Sequence, residues 1–144
     1  MITEKGSVIA PFFGKEMTNM TIANAIRIAD KLKPNTLEFL HKVKCLSQLD
    51  GQVFKEVFET HENNPIESFD GYDEASPDDT ELLIPYPYAE EVYVNYLKAQ
   101  IDKENGEIVK YNQSITMYND AFITFQNWYN RTHMPISKGT RFIF

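Results

Sequence analysis

EIVKYNQSITMYNDAFITFQNWYNR, residues 107–131, is the stretch that decides the fold. Within it Ile108, Tyr111, Ile115, Tyr118, Phe122, Phe125 and Tyr129 recur at intervals of three and four without a miss. That spacing lines one face of an α-helix and no face of a strand, which would need strict alternation. A helix with so regular an apolar seam must lay it against a partner helix. The partner is either the preceding helix, folded back through a tight hairpin, or a neighbouring subunit. Spacing alone does not choose between them.

Upstream, Val92, Tyr93, Tyr96, Leu97 and Ile101 predict a helix over 89–104, with Glu90 and Glu91 in the first turn, where the helix dipole favours negative charge. Asn105 and Gly106 can end it, since both tolerate the left-handed conformation. The alternative is one long helix with Gly106 inside it. Before this helix, Leu82-Leu83-Ile84-Pro85-Tyr86-Pro87-Tyr88 is apolar, but its prolines impose extended backbone and remove two amide donors, so it cannot be a central strand. It closes a loop over 62–88 that is rich in turn formers and acids.

Nearer the start, Leu40, Val43, Leu46, Leu49, Val53 and Val57, widened by Phe54 and Phe58, predict a helix over 36–60 capped by Thr36. Gly51 inside it costs roughly 1 kcal/mol relative to Ala, which suggests a close helix crossing or a bend. Ile22, Ala25, Ile26, Ala29 and Leu32 predict a helix over 21–33, capped by Thr21 and stopped by Pro34. Residues 1–20 read as an extension and 134–144, beyond the helix-ending region at Pro135, as a tail.

The 144 residues suit one domain, and 42% hydrophobic with 24% charged residues is an ordinary globular balance. The aromatic content, ten Phe, eight Tyr and one Trp, is high and suits a crowded core or an interface. A net charge of −7 argues against a surface that grips phosphate backbones. The single cysteine, Cys45, cannot form an internal disulfide and fits a reducing cytosol. The apolar patch at Val8, Ile9, Ala10, Phe12 and Phe13 is broken by Pro11 and is too short for a membrane span or a secretory signal.

No residues assemble into a catalytic or cofactor-binding signature. His41 lies one helical turn before Cys45, which could place them side by side, but the spacing fits no recognisable signature and a surface histidine is the expected reading. The acids Asp70, Asp73, Glu74, Asp78, Asp79 and Glu81 lack the order of a calcium loop. The glycines are scattered, and no phosphate loop exists. No catalytic, cofactor or metal residue is therefore expected. The densest polar and aromatic cluster runs from Asn127 to His133; Trp128, Tyr129, Arg131 and His133 are candidate interface residues, since Trp, Tyr and Arg dominate binding hot spots. Arg141, Phe142, Ile143 and Phe144 form an apolar ending that needs something to dock on.

From Leu82 to Pro135 the order of features resembles the head-to-tail connector (adaptor) family of tailed bacteriophages and prophages of Gram-positive bacteria. The residues that carry the likeness are the Leu82–Tyr88 lead-in, the Tyr93 to Leu97 patch, Asn105-Gly106-Glu107, Tyr111-Asn112, Ser114, Met117-Tyr118-Asn119 and Trp128-Tyr129-Asn130-Arg131-Thr132-His133. Lys33-Pro34-Asn35 and Leu49-Asp50-Gly51 extend it more loosely into the first half.

The resemblance implies a mainly α fold: a four-helix bundle-like connector with a long central loop and extended N- and C-terminal tails. It implies a non-enzymatic virion protein, assembled in the bacterial cytoplasm and placed in the neck without membrane contact. There it would form a ring, commonly a dodecamer, under the portal protein. It would extend the DNA channel, touch packaged DNA in passing and join a tail or stopper protein, with the C-terminal segment reaching the portal. The competing expectation is a small DNA-associated prophage regulator whose first two helices form a helix-turn-helix. Against it, the second helix carries Glu38, Asp50, Glu56 and Glu59 against Lys42, Lys44 and Lys55, where a recognition helix should be more basic.

Overall fold

The computed structural model describes residues 19–136, and in these the chain is mainly helical, a bundle of four helices. α1 spans Ile22–Leu32, α2 Phe39–Val53, α3 Ala89–Glu104 and α4 Ile108–Thr132; a π-helical turn, Phe54–Phe58, continues α2. α3 is the hub, with α1, α2 and α4 each packed against it. Its buried residues, Val92, Tyr93, Val94, Leu97 and Ile101 among them, point in nearly every direction around the axis. That is the pattern of a helix enclosed by its neighbours. No helix among the described residues is long and apolar enough to cross a membrane.

The partner of the α4 seam is α3, reached by a hairpin. Gly106, at φ 74°, takes the left-handed conformation. Its N–H bonds the Lys103 carbonyl at 3.1 Å, and the Glu107 N–H bonds that of Asp102 at 2.9 Å. This pair of bonds is the Schellman ending, which satisfies the last carbonyls of α3 and reverses the chain. Tyr118, Phe122, Phe125 and Tyr129 are buried as the seam requires. Ile108, the first member of the seam, is instead 72% exposed, since α3 has already ended beside it.

Three expectations for the first half need correction. Thr36 does not cap α2, which starts at Phe39 after Glu38, with no side-chain cap. The cause is Asn35, whose amide nitrogen bonds Asp30 Oδ1 and the Lys33 carbonyl, both at 2.9 Å, while its oxygen accepts from the Leu37 N–H at 3.0 Å. This turn holds residues 35–37 out of the helix. Of the two readings of Gly51 the close helix crossing is the one overturned, because a Cβ there would meet nothing within 4 Å. The second helix also does not stay α-helical to its end. It widens into the π turn, which carries Phe54, Val57 and Phe58 into the core.

The long connection from Glu59 to Tyr88 has no regular structure, yet it is tied down along its length. Ile22 and Ala23, whose N–H groups lack partners inside α1, donate to the carbonyls of Thr80 at 3.0 Å and Asp78 at 3.1 Å. Thr21 Oγ1 caps the same end by accepting from the Asn24 N–H at 3.2 Å. Gly71, at φ 95°, passes so close to α2 that a Cβ would lie 2.7 Å from Ser47 Oγ. In the proline-containing lead-in Leu82 and Ile84 are fully buried.

Candidate functional site

Two buried aspartates hold the bundle together. Asp50, on α2, is fully buried and accepts three hydrogen bonds, from Tyr93 Oη and Tyr72 Oη at 2.5 Å each and from the Leu83 N–H at 3.0 Å. The Tyr93 hydroxyl in turn accepts from the Ile84 N–H at 2.8 Å. One carboxylate thus joins α2, the loop, the lead-in and α3, and provides amide partners that a lead-in outside any sheet would otherwise lack. Burial pushes its pKa up to about 6, and the bonds from Tyr72, Tyr93 and Leu83 limit the rise. The same burial and the neighbouring carboxylate push Tyr93 and Tyr72 well above the usual phenol range.

The second knot is Asp102, at the end of α3. Ser114 Oγ of α4 donates to its Oδ2 at 2.8 Å, and Lys33 Nζ, just past α1, lies 3.1 Å from Oδ1. The lysine sits off the hydrogen-bonding direction of that oxygen, so the contact is an ion pair. Lys42 makes a comparable tie, 2.6 Å from Asp30 Oδ1, and joins α2 to α1. Asp50 and Asp102 are fully buried, whereas Asp30 keeps 41% of its side chain exposed.

The candidate interface cluster at the end of α4 divides in two. Tyr129 is withheld from the surface: it is 2% exposed, its ring stacked on Phe58 at 5.3 Å and on His133 at 3.8 Å. Trp128 is half-buried against Tyr88, 5.1 Å between rings. His133 is half-buried, and Arg131 is exposed. Arg141, Phe142, Ile143 and Phe144, like the extension 1–18, lie outside the described residues.

Sequence reasoning missed the residue that fixes this end, His61. Its Nδ1 lies 2.7 Å from the Val57 carbonyl and its Nε2 2.8 Å from Asn130 Oδ1, so it bridges α2 to α4. Beside it the Glu62 N–H donates to the Met134 carbonyl at 2.7 Å, and the Ile136 N–H to that of Thr60 at 2.9 Å. His41 is exposed and Cys45 buried. Burial, ahead of the charge on Glu104, raises the Cys45 pKa and keeps it a thiol.

Among the apolar side chains left open to solvent, three stand on the outer side of α4. Val109, Met117 and Ile123 stand 70%, 48% and 53% exposed along it. Between this side and the start of α3 runs a groove of about 360 Å³ lined by Pro87, Tyr88, Glu91, Met117, Asp120, Ala121 and Thr124. Apolar side chains form its walls, and two carboxylates mark its edge. Among the described residues no group of three or more His, Cys, Asp or Glu side chains is placed to hold a metal ion. Comparison with protein-family models, with curated proteins and with solved structures finds no match to this chain.

Proposed function

We propose that this chain is a structural assembly protein, a head-to-tail connector that forms a ring under a phage portal, extends the DNA channel and joins the tail. The observation that carries this reading is the outer side of α4. A helix of 25 residues uses one face to complete the core and leaves Val109, Met117 and Ile123 in water. Exposed apolar side chains set along one rigid element suit contact with another protein. The interior aspartates, by contrast, are taken up by the fold and offer nothing to a substrate.

The resemblance in the sequence supplies the kind of partner: a portal protein on one side, a tail or stopper protein on the other, and further copies around the ring. A chain of net charge −7 suits a channel wall from which DNA must not stick. The neck of the virion would be its final location, after assembly in the host cytoplasm. The DNA-binding alternative loses part of its basis, because Lys42 is tied to Asp30 and Lys55 lies 3.6 Å from Glu59. Of the lysines on α2, Lys42 is buried and Lys44 is exposed.

Light scattering on the chain mixed with the portal protein from the same genome tests the proposal. A stoichiometric ring on the assembled portal is the expected result. A portal that gains no mass would overturn the connector reading.

A further inference from the structure

A second groove lies where the acidic loop passes over the first residues of α1 and α2. Its volume is about 190 Å³; Ile22 and Val43 form its floor, Phe39 and Leu40 its wall, and Asp73, Glu74, Ser76 and Asp78 its rim. Cavities of about 150 Å³ accept benzene, so this one has room for an aromatic side chain. Phe39 is 47% exposed here, although it begins a helix whose other apolar residues are covered. The three rim carboxylates are exposed above it. An apolar slot under an acidic rim fits a segment that presents an aromatic residue next to a basic one.

Two segments of the chain outside the described residues carry aromatic groups. Residues 1–18 hold Phe12 and Phe13, but Glu4, Lys5, Lys15 and Glu16 cancel in charge. Residues 137–144, SKGTRFIF, carry Lys138 and Arg141 and no acid, and Arg141 directly precedes Phe142. Charge complementarity selects the second.

Its own groove lies at the limit of its reach. The described chain leaves the bundle at Ile136, bonded to Thr60 just past the π turn, whereas the groove lies at Phe39. From Phe39 to Thr60 is about 30 Å at roughly 1.5 Å per residue. Fully extended, the chain from Ile136 to Phe142 covers about 21 Å. Phe142 would meet its own groove only with the segment drawn out fully along α2, whereas a neighbouring molecule can present the groove without that extension.

We infer that residues 137–144 of one copy dock in the α1–α2 groove of the next, Phe142 in the slot and Arg141 against Asp73 and Asp78. The two surfaces differ, so the contact is heterologous and propagates from copy to copy, closing into a ring if the rotation permits. It does not require the portal, and it stands or falls separately from the connector reading.

Two full-length variants test it: a tail variant, Arg141→Glu with Phe142→Glu, and a groove variant, Asp73→Lys with Asp78→Lys. Unchanged thermal midpoints establish that both fold. A synthetic peptide of residues 137–144 should bind the tail variant, and bind the groove variant about tenfold more weakly or not at all. Each variant keeps one half of the contact, so the two mixed together should give a 1:1 complex by light scattering, while neither associates alone. Equal peptide affinity for both variants, as a site elsewhere or capture of the groove by residues 1–18 would produce, overturns the inference. Peptide binding without a 1:1 complex overturns its assignment to a neighbour. A tail required for portal binding but without affinity for the groove also overturns it.

Discussion

α3 and α4 lie side by side, joined by one turn, and the chain uses them differently. α3 is covered by α1, α2 and α4 and contributes to both aspartate knots, through Tyr93 and through Asp102 itself. α4 is covered along one side only, and its exposed side carries Val109, Met117 and Ile123. One helix defines the fold, and the other brings that fold to its surroundings. The difference implies that stability and assembly can be damaged separately, by substitutions only a few residues apart in sequence.

The largest effect should come where the two helices meet. Phe125→Ala removes a fully buried ring from the seam and should cost about 3–5 kcal/mol in a denaturant titration. A small loss would mean that α4 packs on α3 more loosely than its burial indicates. Next is Asp50→Ala, which leaves two buried hydroxyls and the Leu83 N–H without their acceptor. Removing the cost of burying a carboxylate offsets part of the loss, and the net destabilisation should be about 2–3 kcal/mol. Gly106→Ala forces a Cβ into the left-handed turn and should cost about 1–2 kcal/mol, even though nothing lies within 4 Å of that Cβ.

A smaller effect follows from the raised pKa of Asp50. The folded state binds this proton more tightly than the unfolded chain, whose value is near the usual 3.8. The contribution to stability is therefore complete below about pH 4 and is lost as pH rises through about 6. Between pH 7 and pH 5 the wild type should gain about 1 kcal/mol relative to Asp50→Asn, read from denaturant midpoints at both pH values. A difference of the opposite sign would mean that Asp50 is stabilised as a carboxylate.

The seam of α4 was legible because period alone specifies it, and the ends of α3 were legible because Glu90, Glu91, Asn105 and Gly106 act locally. The Asp50 knot was not, because its tyrosine partners lie 22 and 43 residues away and only the finished fold brings them together. For the same reason His61 passed unnoticed, with Asn130 standing 69 residues from it. The π turn was hidden because it leaves the apolar pattern of α2 readable as one helix. Tyr129, readable both as a member of the seam and as an interface candidate, lies buried in the seam; residue type alone cannot say which side of a helix is covered. Tyr93, Gly106 and Ser114, among the residues on which the sequence resembles connectors, and Lys33 and Asp50, which extend that likeness more loosely, tie the bundle together. They speak first to architecture, so the function must be tested on the uncovered side of α4.

Val109→Asp, Met117→Asp and Ile123→Asp in one chain provide that test. Exposed sites of this kind change stability by about 0.5 kcal/mol or less each. The triple variant should unfold close to the wild-type midpoint and yet add no mass to the portal protein in light scattering. A variant that joins the portal as the wild type does would contradict the assignment of the outer side of α4 as the assembly surface.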